Sequence, residues 1–170
     1  MNYDLAIIGG GAAGMAAAVF AAENGVHTVV IEHNRQLGKK LAITGKGRCN
    51  VTNNSDNDNI MKNIPTGSRF LYSALAGFSA YDTMNFFEGL GVPLKTERGN
   101  RVFPVSDSAK DIVEALKKRM GTLGVKVITA PAKGVITEDG RVKGVRLGES
   151  EVYANSVIIA TGGASYSGTG

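Results

Sequence analysis

At 170 residues, 43% hydrophobic and 20% charged, the chain has the length and balance of a globular domain with a buried core, which excludes a disordered or fibrous class. One cysteine, Cys49, excludes an intrachain disulfide and suits a reducing compartment such as the cytosol. The net charge of +4 is concentrated between His33 and Ser55, where Arg35, Lys39, Lys40, Lys46 and Arg48 occur without a single acid, so the sequence calls for a local anion.

Asp4 to Ile8 is a short apolar run that ends in three glycines and reads as a buried parallel strand. Ala12 to Asn24 is alanine-rich and helical, stopped by Gly25. Its apolar part, Ala12 to Ala22, is too short to span a bilayer, which needs about 20 residues, and Asp4 with no basic region before it argues against a secretory leader. Thr28 to Ile31 is a second β-branched run, so the first thirty residues form a βαβ unit. From His33 to Asn63 no periodicity is visible, and the Asn/Asp/Ser-rich stretch Asn53 to Asn59 reads as exposed loop.

Arg69 to Gly77 and Tyr81 to Leu90 read as helices, the second ended by Gly91 and Pro93. Arg101 to Val105 reads as a strand. Ser108 reads as the N-cap of a helix reaching about Leu123, with Ile112, Leu116, Met120 and Leu123 on its apolar face. Val125 to Thr129 is another strand. Gly134 to Thr137 and Arg141 to Leu147 flank Glu138-Asp139-Gly140 as a hairpin, with Val152 to Ala154 as a third antiparallel strand. Val157 to Ala160 reads as a separate buried strand running into Thr161-Gly162-Gly163. Ala164 to Gly170 is a Gly/Ser loop that leads one to expect further elements, as in the N-terminal part of a longer protein.

Three segments carry chemistry. Gly9-Gly10-Gly11-Ala12-Ala13-Gly14 contains G-x-G-x-x-G. Gly9 permits the turn out of the strand, Gly11 lets a pyrophosphate approach the backbone, and Gly14 lets the helix pack on the sheet. The helix N-terminus then offers free N–H groups to the phosphates. The motif follows a strand, opens a helix, and is completed by Glu32, 23 residues past Gly9, whose carboxylate suits ribose hydroxyls.

The second segment, Gly38-Lys39-Lys40 through Thr44-Gly45-Lys46-Gly47-Arg48-Cys49-Asn50, sets glycines beside cations. From the residues alone it is either a loop wrapping an anionic or polar ligand or a solvated basic loop. It is not a Walker A loop. No aromatic residue lies between His33 and Arg69, so a nucleic-acid surface lacks a stacking platform there. In the third, Val157 to Gly163, a strand leads into Thr-Gly-Gly; by itself this is a strand followed by a turn. Cys49 is either a thiol activated by Lys46 and Arg48 or a small buried hydrophobe. His27 and His33 lack metal-site spacing, and no catalytic acid or base stands out.

Gly38-Lys39-Lys40-Leu41-Ala42-Ile43-Thr44-Gly45-Lys46-Gly47-Arg48-Cys49-Asn50-Val51-Thr52-Asn53 resembles the BaiN/RdsA-type (YhiN-like) NAD(P)/FAD-dependent oxidoreductases. The resemblance extends to Gly9–Gly14, to Arg101-Val102-Phe103-Pro104 with Ser106, and to Ala160 through Tyr166, with a departure at Tyr166-Ser167. It implies FAD bound with its ADP half on the first βαβ unit, at Gly9, Gly11, Ala12, Ala13 and Gly14. Glu32, with His33 beside it, would hold the adenosine ribose. Lys40 and the Thr44, Gly45, Gly47, Arg48, Cys49, Asn50 loop would pass near the pyrophosphate and flavin. Ala132 would offer backbone to the adenine, and Thr161, Gly162 and Gly163 would line the cofactor from the other side.

The sequence is therefore expected to be an α/β, Rossmann-like FAD/NAD(P)-binding domain over residues 1–170. Its expected form is a parallel sheet plus a small antiparallel β-meander, with a substrate domain and a C-terminal FAD-domain segment lying outside it. The expected activity is an FAD-dependent oxidoreductase reduced by NAD(P)H, cytoplasmic, acting on a small molecule, with no metal, nucleic acid or membrane partner. The alternatives are an NAD-binding Rossmann dehydrogenase without flavin, which the long basic loop after Glu32 disfavours, and a non-enzymatic nucleotide-binding module.

Overall fold

The computed structural model describes residues 2–163; the expected Ala164–Gly170 loop, with the Tyr166-Ser167 departure, lies outside the described residues. In chain order the elements are β1 (Asn2–Ile8), α1 (Ala12–Glu23), β2 (Thr28–Glu32), β3 (Thr52–Asn53), α2 (Asn57–Lys62), α3 (Tyr72–Gly77), α4 (Ala80–Gly89), β4 (Leu94–Glu97), β5 (Arg101–Pro104), α5 (Ala109–Thr122), β6 (Lys126–Thr129), β7 (Gly134–Glu138), β8 (Arg141–Arg146) and β9 (Glu151–Ile159). They fall into two compact units, Met1–Leu41 with Leu116–Gly170, and Ala42–Ala115.

The first unit is built on a six-stranded sheet in the order β6-β2-β1-β9-β8-β7. β6, β2, β1 and β9 are parallel, with Leu5 opposite Thr28, Ile7 opposite Ile158 and Ile31 opposite Ile128. β2 is buried at every position, as its unbroken Thr-Val-Val-Ile-Glu run requires of a strand covered on both faces. β7 and β8 form the expected hairpin, turned through Asp139 (φ 49) and Gly140 (φ 72), the pair of left-handed residues that a tight hairpin needs. Tyr3, Ala6, Val29, Ile31, Val145, Val152 and Ala154 make one core, against which Ala132 and Val157 also pack.

The expected parallel sheet and meander are one continuous sheet. The two strands read at Val152–Ala154 and Val157–Ala160 are a single nine-residue β9, which pairs antiparallel with β8 over Glu151–Tyr153 and parallel with β1 over Tyr153–Ile159. The polar Asn155 and Ser156 look like a break in the apolar pattern, yet the strand runs through them with both side chains exposed. The expected burial of its end fails too: Ile158 is 39% and Ile159 68% exposed.

The second unit holds a three-stranded antiparallel sheet, β3-β5-β4, with short helices around it. The polar stretch at Asn53–Asn59 is only partly loop. Asp56 caps α2 by accepting from the Asn59 amide at 2.7 Å, so the short polar residues there start a helix instead of a coil. α4 begins with a capping box, in which the Asp82 amide donates to Ser79 Oγ and the Ser79 amide donates to Asp82. Ile112 of α5 is buried as the helical spacing demands; of the α5 residues counted in the first unit, Leu116 and Met120 are buried, and Leu123 lies half-buried beyond the last turn.

Candidate dinucleotide-binding site

In the first unit three loops meet where the parallel strands end. The first follows β1. Gly9 has φ 107, and a Cβ there would lie 2.4 Å from the Ala160 carbonyl oxygen and 3.1 Å from Thr161 Cα, so only glycine lets the end of β1 touch the end of β9. A Cβ on Gly14 would lie 1.8 Å from the Gly9 carbonyl oxygen, which is the close helix–strand approach that the motif predicts. Gly11 differs: its φ is −80, and a Cβ built on it meets no atom within 4 Å. Exposed Ala12 and Ala13 follow at the start of α1, which has no side-chain cap and no acid in its first turn.

The second loop follows β2. The Glu32 side chain is buried, and its Oε2 accepts from the Gly10 amide at 2.7 Å. Its Oε1 accepts from the Asn34 amide at 2.8 Å and from Asn34 Nδ2 at 2.9 Å, with exposed His33 Nδ1 at 3.0 Å. Burial pushes the Glu32 carboxyl up, but the Asn34 and Gly10 amides outweigh it and hold the group below the ordinary glutamate range. The Gly38 amide donates to the Gly10 carbonyl at 2.8 Å, which ties this loop to the first. The Ala130 amide donates to the Glu32 carbonyl at 2.9 Å, leading the chain from β6 past Glu32 to Ala132.

The third loop follows β9. Thr161, Gly162 and Gly163 are exposed, Gly162 is left-handed (φ 82), and Lys40 Nζ donates to the Gly163 carbonyl at 3.0 Å. Thus Gly9, Gly14, Glu32, Lys40 and Thr161–Gly163 converge at the carboxyl ends of the neighbouring parallel strands β2, β1 and β9. Ligands of open α/β sheets sit outside the carboxyl ends of the strands.

Thr44 to Asn50 belong to the second unit. Gly45, Lys46 and Gly47 are left-handed (φ 56, 59 and 83), as is Cys49 (φ 58). The Cys49 amide donates to the Thr44 carbonyl at 3.0 Å. Asn50, with its amide nitrogen toward the strands, donates to the carbonyls of Val102 (3.2 Å) and Thr52 (3.0 Å). The Arg48 guanidinium is engaged by Glu97 and Asp107 and stacked on Phe103. Cys49 is buried, and burial pushes its thiol up against a smaller opposing hydrogen bond from Thr44. Of the two readings of Cys49, this is the small buried residue and not an activated thiolate. The acidic partners of Arg48, 49 and 59 residues away, were not identifiable from sequence.

Among the described residues no group of three metal-ligating side chains occurs, and no helix is long and apolar enough to cross a membrane.

Residues 3–170 match the HI0933-like protein Rossmann domain. The chain belongs to this family. It is 31% identical over 161 residues to a 3-dehydro-bile acid delta(4,6)-reductase of Clostridium scindens, covering 94% of this chain and 39% of that protein. It is 28% identical over 168 residues to a ribosomal RNA dihydrouridine synthase of Haemophilus influenzae, covering 96% of this chain and 41% of that protein. The chain thus spans about two fifths of the length of these curated relatives. Among solved structures, the 3-ketosteroid-delta4-(5alpha)-dehydrogenase of Rhodococcus jostii superimposes with a TM-score of 0.69 at 19% identity, over 95% of this chain and 46% of that one, a likeness of fold. The family and the Rossmann-type α/β fold are those that the motifs imply.

Proposed function

We propose that the chain is the FAD-binding portion of a cytoplasmic flavoprotein oxidoreductase that takes its electrons from NAD(P)H and acts on a small organic molecule. Gly11 carries the proposal. Its backbone angles suit any residue and a side chain there would strike no protein atom, so the glycine preserves space for something outside the protein. The uncapped N-terminus of α1 beside it presents N–H groups and a positive dipole end, which suit a pyrophosphate.

The residues present fit an adenine dinucleotide. Gly11, Ala12 and Ala13 would face the pyrophosphate. Glu32 would orient the adenosine ribose. A carboxylate has about four acceptor positions; three protein donors are within hydrogen-bonding distance of Oε1, but Oε2 serves only the Gly10 amide among the bonds described, leaving a position for a ribose hydroxyl. The negative charge would also disfavour a 2′-phosphate. Lys40, held at the rim by the Gly163 carbonyl, would balance phosphate charge, and the backbone near Ala132 would border the adenine. His33, Thr161, Gly162 and Gly163 would complete the first unit's share. Thr44, Gly45, Gly47, Cys49 and Asn50 are proposed as cofactor residues on the family resemblance alone, with Arg48 in the same loop. FAD, when bound, supplies hydride chemistry, and the chain's part is to bind and orient it.

The substrate domain and a further FAD-domain segment are, in this proposal, carried outside these 170 residues, since more than half the length of each curated relative lies outside the matched part. The relatives' names, a reductase of a bile acid and a synthase acting on ribosomal RNA, support redox chemistry over a purely structural nucleotide module, and they frame the substrate question.

The test is a visible absorption spectrum of the purified protein, with the released cofactor identified by mass, followed by NAD(P)H oxidation and an RNA mobility-shift assay. FAD and NAD(P)H turnover without an RNA shift are expected. Protein that holds no flavin and cannot be reconstituted, yet binds NAD(H), would overturn the flavin reading. A specific RNA shift would overturn the small-molecule substrate.

A further inference from the structure

The family's long basic motif invites the view that its arginine reaches for the cofactor. The geometry around Arg48 says otherwise. The turn it closes is left-handed at Lys46 (φ 59) and followed by left-handed Cys49 (φ 58). Such a conformation is unfavourable for a non-glycine residue, so it persists only where surrounding contacts over-determine it. Two backbone bonds help, Cys49 N–H to the Thr44 carbonyl (3.0 Å) and Arg48 N–H to the Gly45 carbonyl (3.3 Å).

The rest comes from the Arg48 side chain. Nε donates to Asp107 Oδ1 at 2.8 Å, and Nη2 lies 2.6 Å from the same oxygen and pairs with Glu97 Oε1. Lys95 Nζ lies 2.6 Å from Asp107 Oδ2 and 3.7 Å from Glu97 Oε1, so two cations meet two carboxylates and the cluster is neutral. The guanidinium carbon stands 4.1 Å from the centroid of Phe103, a cation–π distance. Phe103 also meets the turn: a Cβ on Gly45 would lie 3.2 Å from Phe103 Cε1 and 3.0 Å from the Asn50 amide. One ring therefore supports the turn at Gly45 and carries the guanidinium.

We infer that Arg48 is a positioning residue, which fixes the Thr44–Asn50 loop through Phe103, Glu97 and Asp107 and does not itself touch the cofactor. That the loop serves a cofactor rests on the flavin reading above; that Arg48 holds the loop does not. Its charge is already balanced within the unit, and two of its donor nitrogens, Nε and Nη2, already serve carboxylates. Glu97 sits on β4 and Asp107 in the loop that follows β5, so the antiparallel sheet and its outgoing loop serve as the anchor.

Cys49 is the natural reporter. It is the chain's one cysteine, it follows Arg48 directly, and it is 1% exposed. The experiment compares Arg48→Met, Arg48→Lys and the double variant Glu97→Gln/Asp107→Asn in the full chain. It measures the rate of Cys49 labelling by a thiol reagent under native conditions, the FAD dissociation constant by fluorescence titration, and cooperativity of melting. All three variants are expected to label at least tenfold faster than the parent and to lose FAD affinity in parallel. Lysine fails to rescue because it lacks the planar fork. The double variant separates the roles. It frees Arg48, so a direct ligand would bind FAD as well as before or better, whereas a positioning residue loses its anchor.

A protected Cys49 in Arg48→Met together with weakened FAD binding would overturn the inference and make Arg48 a cofactor contact. If the parent binds no FAD, the flavin reading fails while the labelling rates still decide the positioning role. If Arg48→Met does not fold, the double variant and Arg48→Lys decide it alone.

Discussion

The Glu32 carboxylate accepts a 2.7 Å hydrogen bond from the Gly10 amide, a contact that binds the end of β2 to the glycine turn after β1 across 22 residues of sequence. The residue expected to read the ribose thus also braces the turn expected to face the pyrophosphate, and the two tasks share one side chain.

This double duty predicts an acid-sensitive site. Burial raises the Glu32 carboxyl, the Asn34 and Gly10 amides lower it, and the hydrogen bonds prevail. Because the folded value lies below the unfolded one, the stabilisation is fully present above the ordinary glutamate value of about 4.3 and disappears as the pH falls through the folded value. Glu32→Gln replaces a charged acceptor and turns an amide donor toward existing donors. It should cost about 1.5–3 kcal/mol at neutral pH and flatten the acid limb of a stability-versus-pH curve from chemical denaturation. An unchanged acid limb would place the titrating group elsewhere.

The two glycines flanking the start of α1 should behave oppositely. Gly14→Ala drives a methyl to 1.8 Å from the Gly9 carbonyl oxygen, which can yield only if helix and strand part. It should destabilise the fold by about 3 kcal/mol. Gly11→Val meets open space and should cost the fold no more than about 1 kcal/mol at an N-cap position, while abolishing FAD binding. Thermal melts and flavin titrations of both variants check the contrast. Normal binding by Gly11→Val would move the phosphate away from this turn.

Lys40→Met breaks the bond to the Gly163 carbonyl in a rim that is otherwise exposed. The expected change in stability is small, about 0.5 kcal/mol, but FAD should bind roughly tenfold more weakly, with a shallower dependence on salt, since the charge proposed to face the phosphates is gone. Equal salt dependence in variant and parent would confine Lys40 to linking two loops.

The βαβ unit was legible because each part is local: an apolar run, three glycines, an alanine-rich helix and an acid at the end of the next strand. Gly9 and Gly14 act as the motif requires, and Glu32 stands where the spacing puts it. The Arg48 cluster was not legible, because Glu97 and Asp107 come to it through the pairing of β4 with β5, and nothing near Arg48 in sequence announces them. α2 was hidden for a different reason. Asp and Asn favour loops and N-caps alike, so the composition around Asp56 marks a boundary without saying which side of it is helical.

The end of β9 shows where hydrophobicity misleads, and it gives a measurable contrast. Ile7 and Ile159 are both isoleucines in neighbouring parallel strands, and the sequence assigns both to a buried core. Ile7 is fully buried, beneath the helix that Gly14 brings close: a Cβ on Gly14 would sit 3.3 Å from Ile7 Cγ2. Ile159 is 68% exposed. Ile7→Ala removes packed methyl groups and leaves a cavity, so it should cost about 2–5 kcal/mol. Ile159→Ala in the same chain should stay within about 0.5 kcal/mol, because its side chain has little burial to lose. Chemical denaturation of the two variants side by side measures the difference. A cost at Ile159 that approaches the cost at Ile7 would mean that the end of β9 is covered in solution.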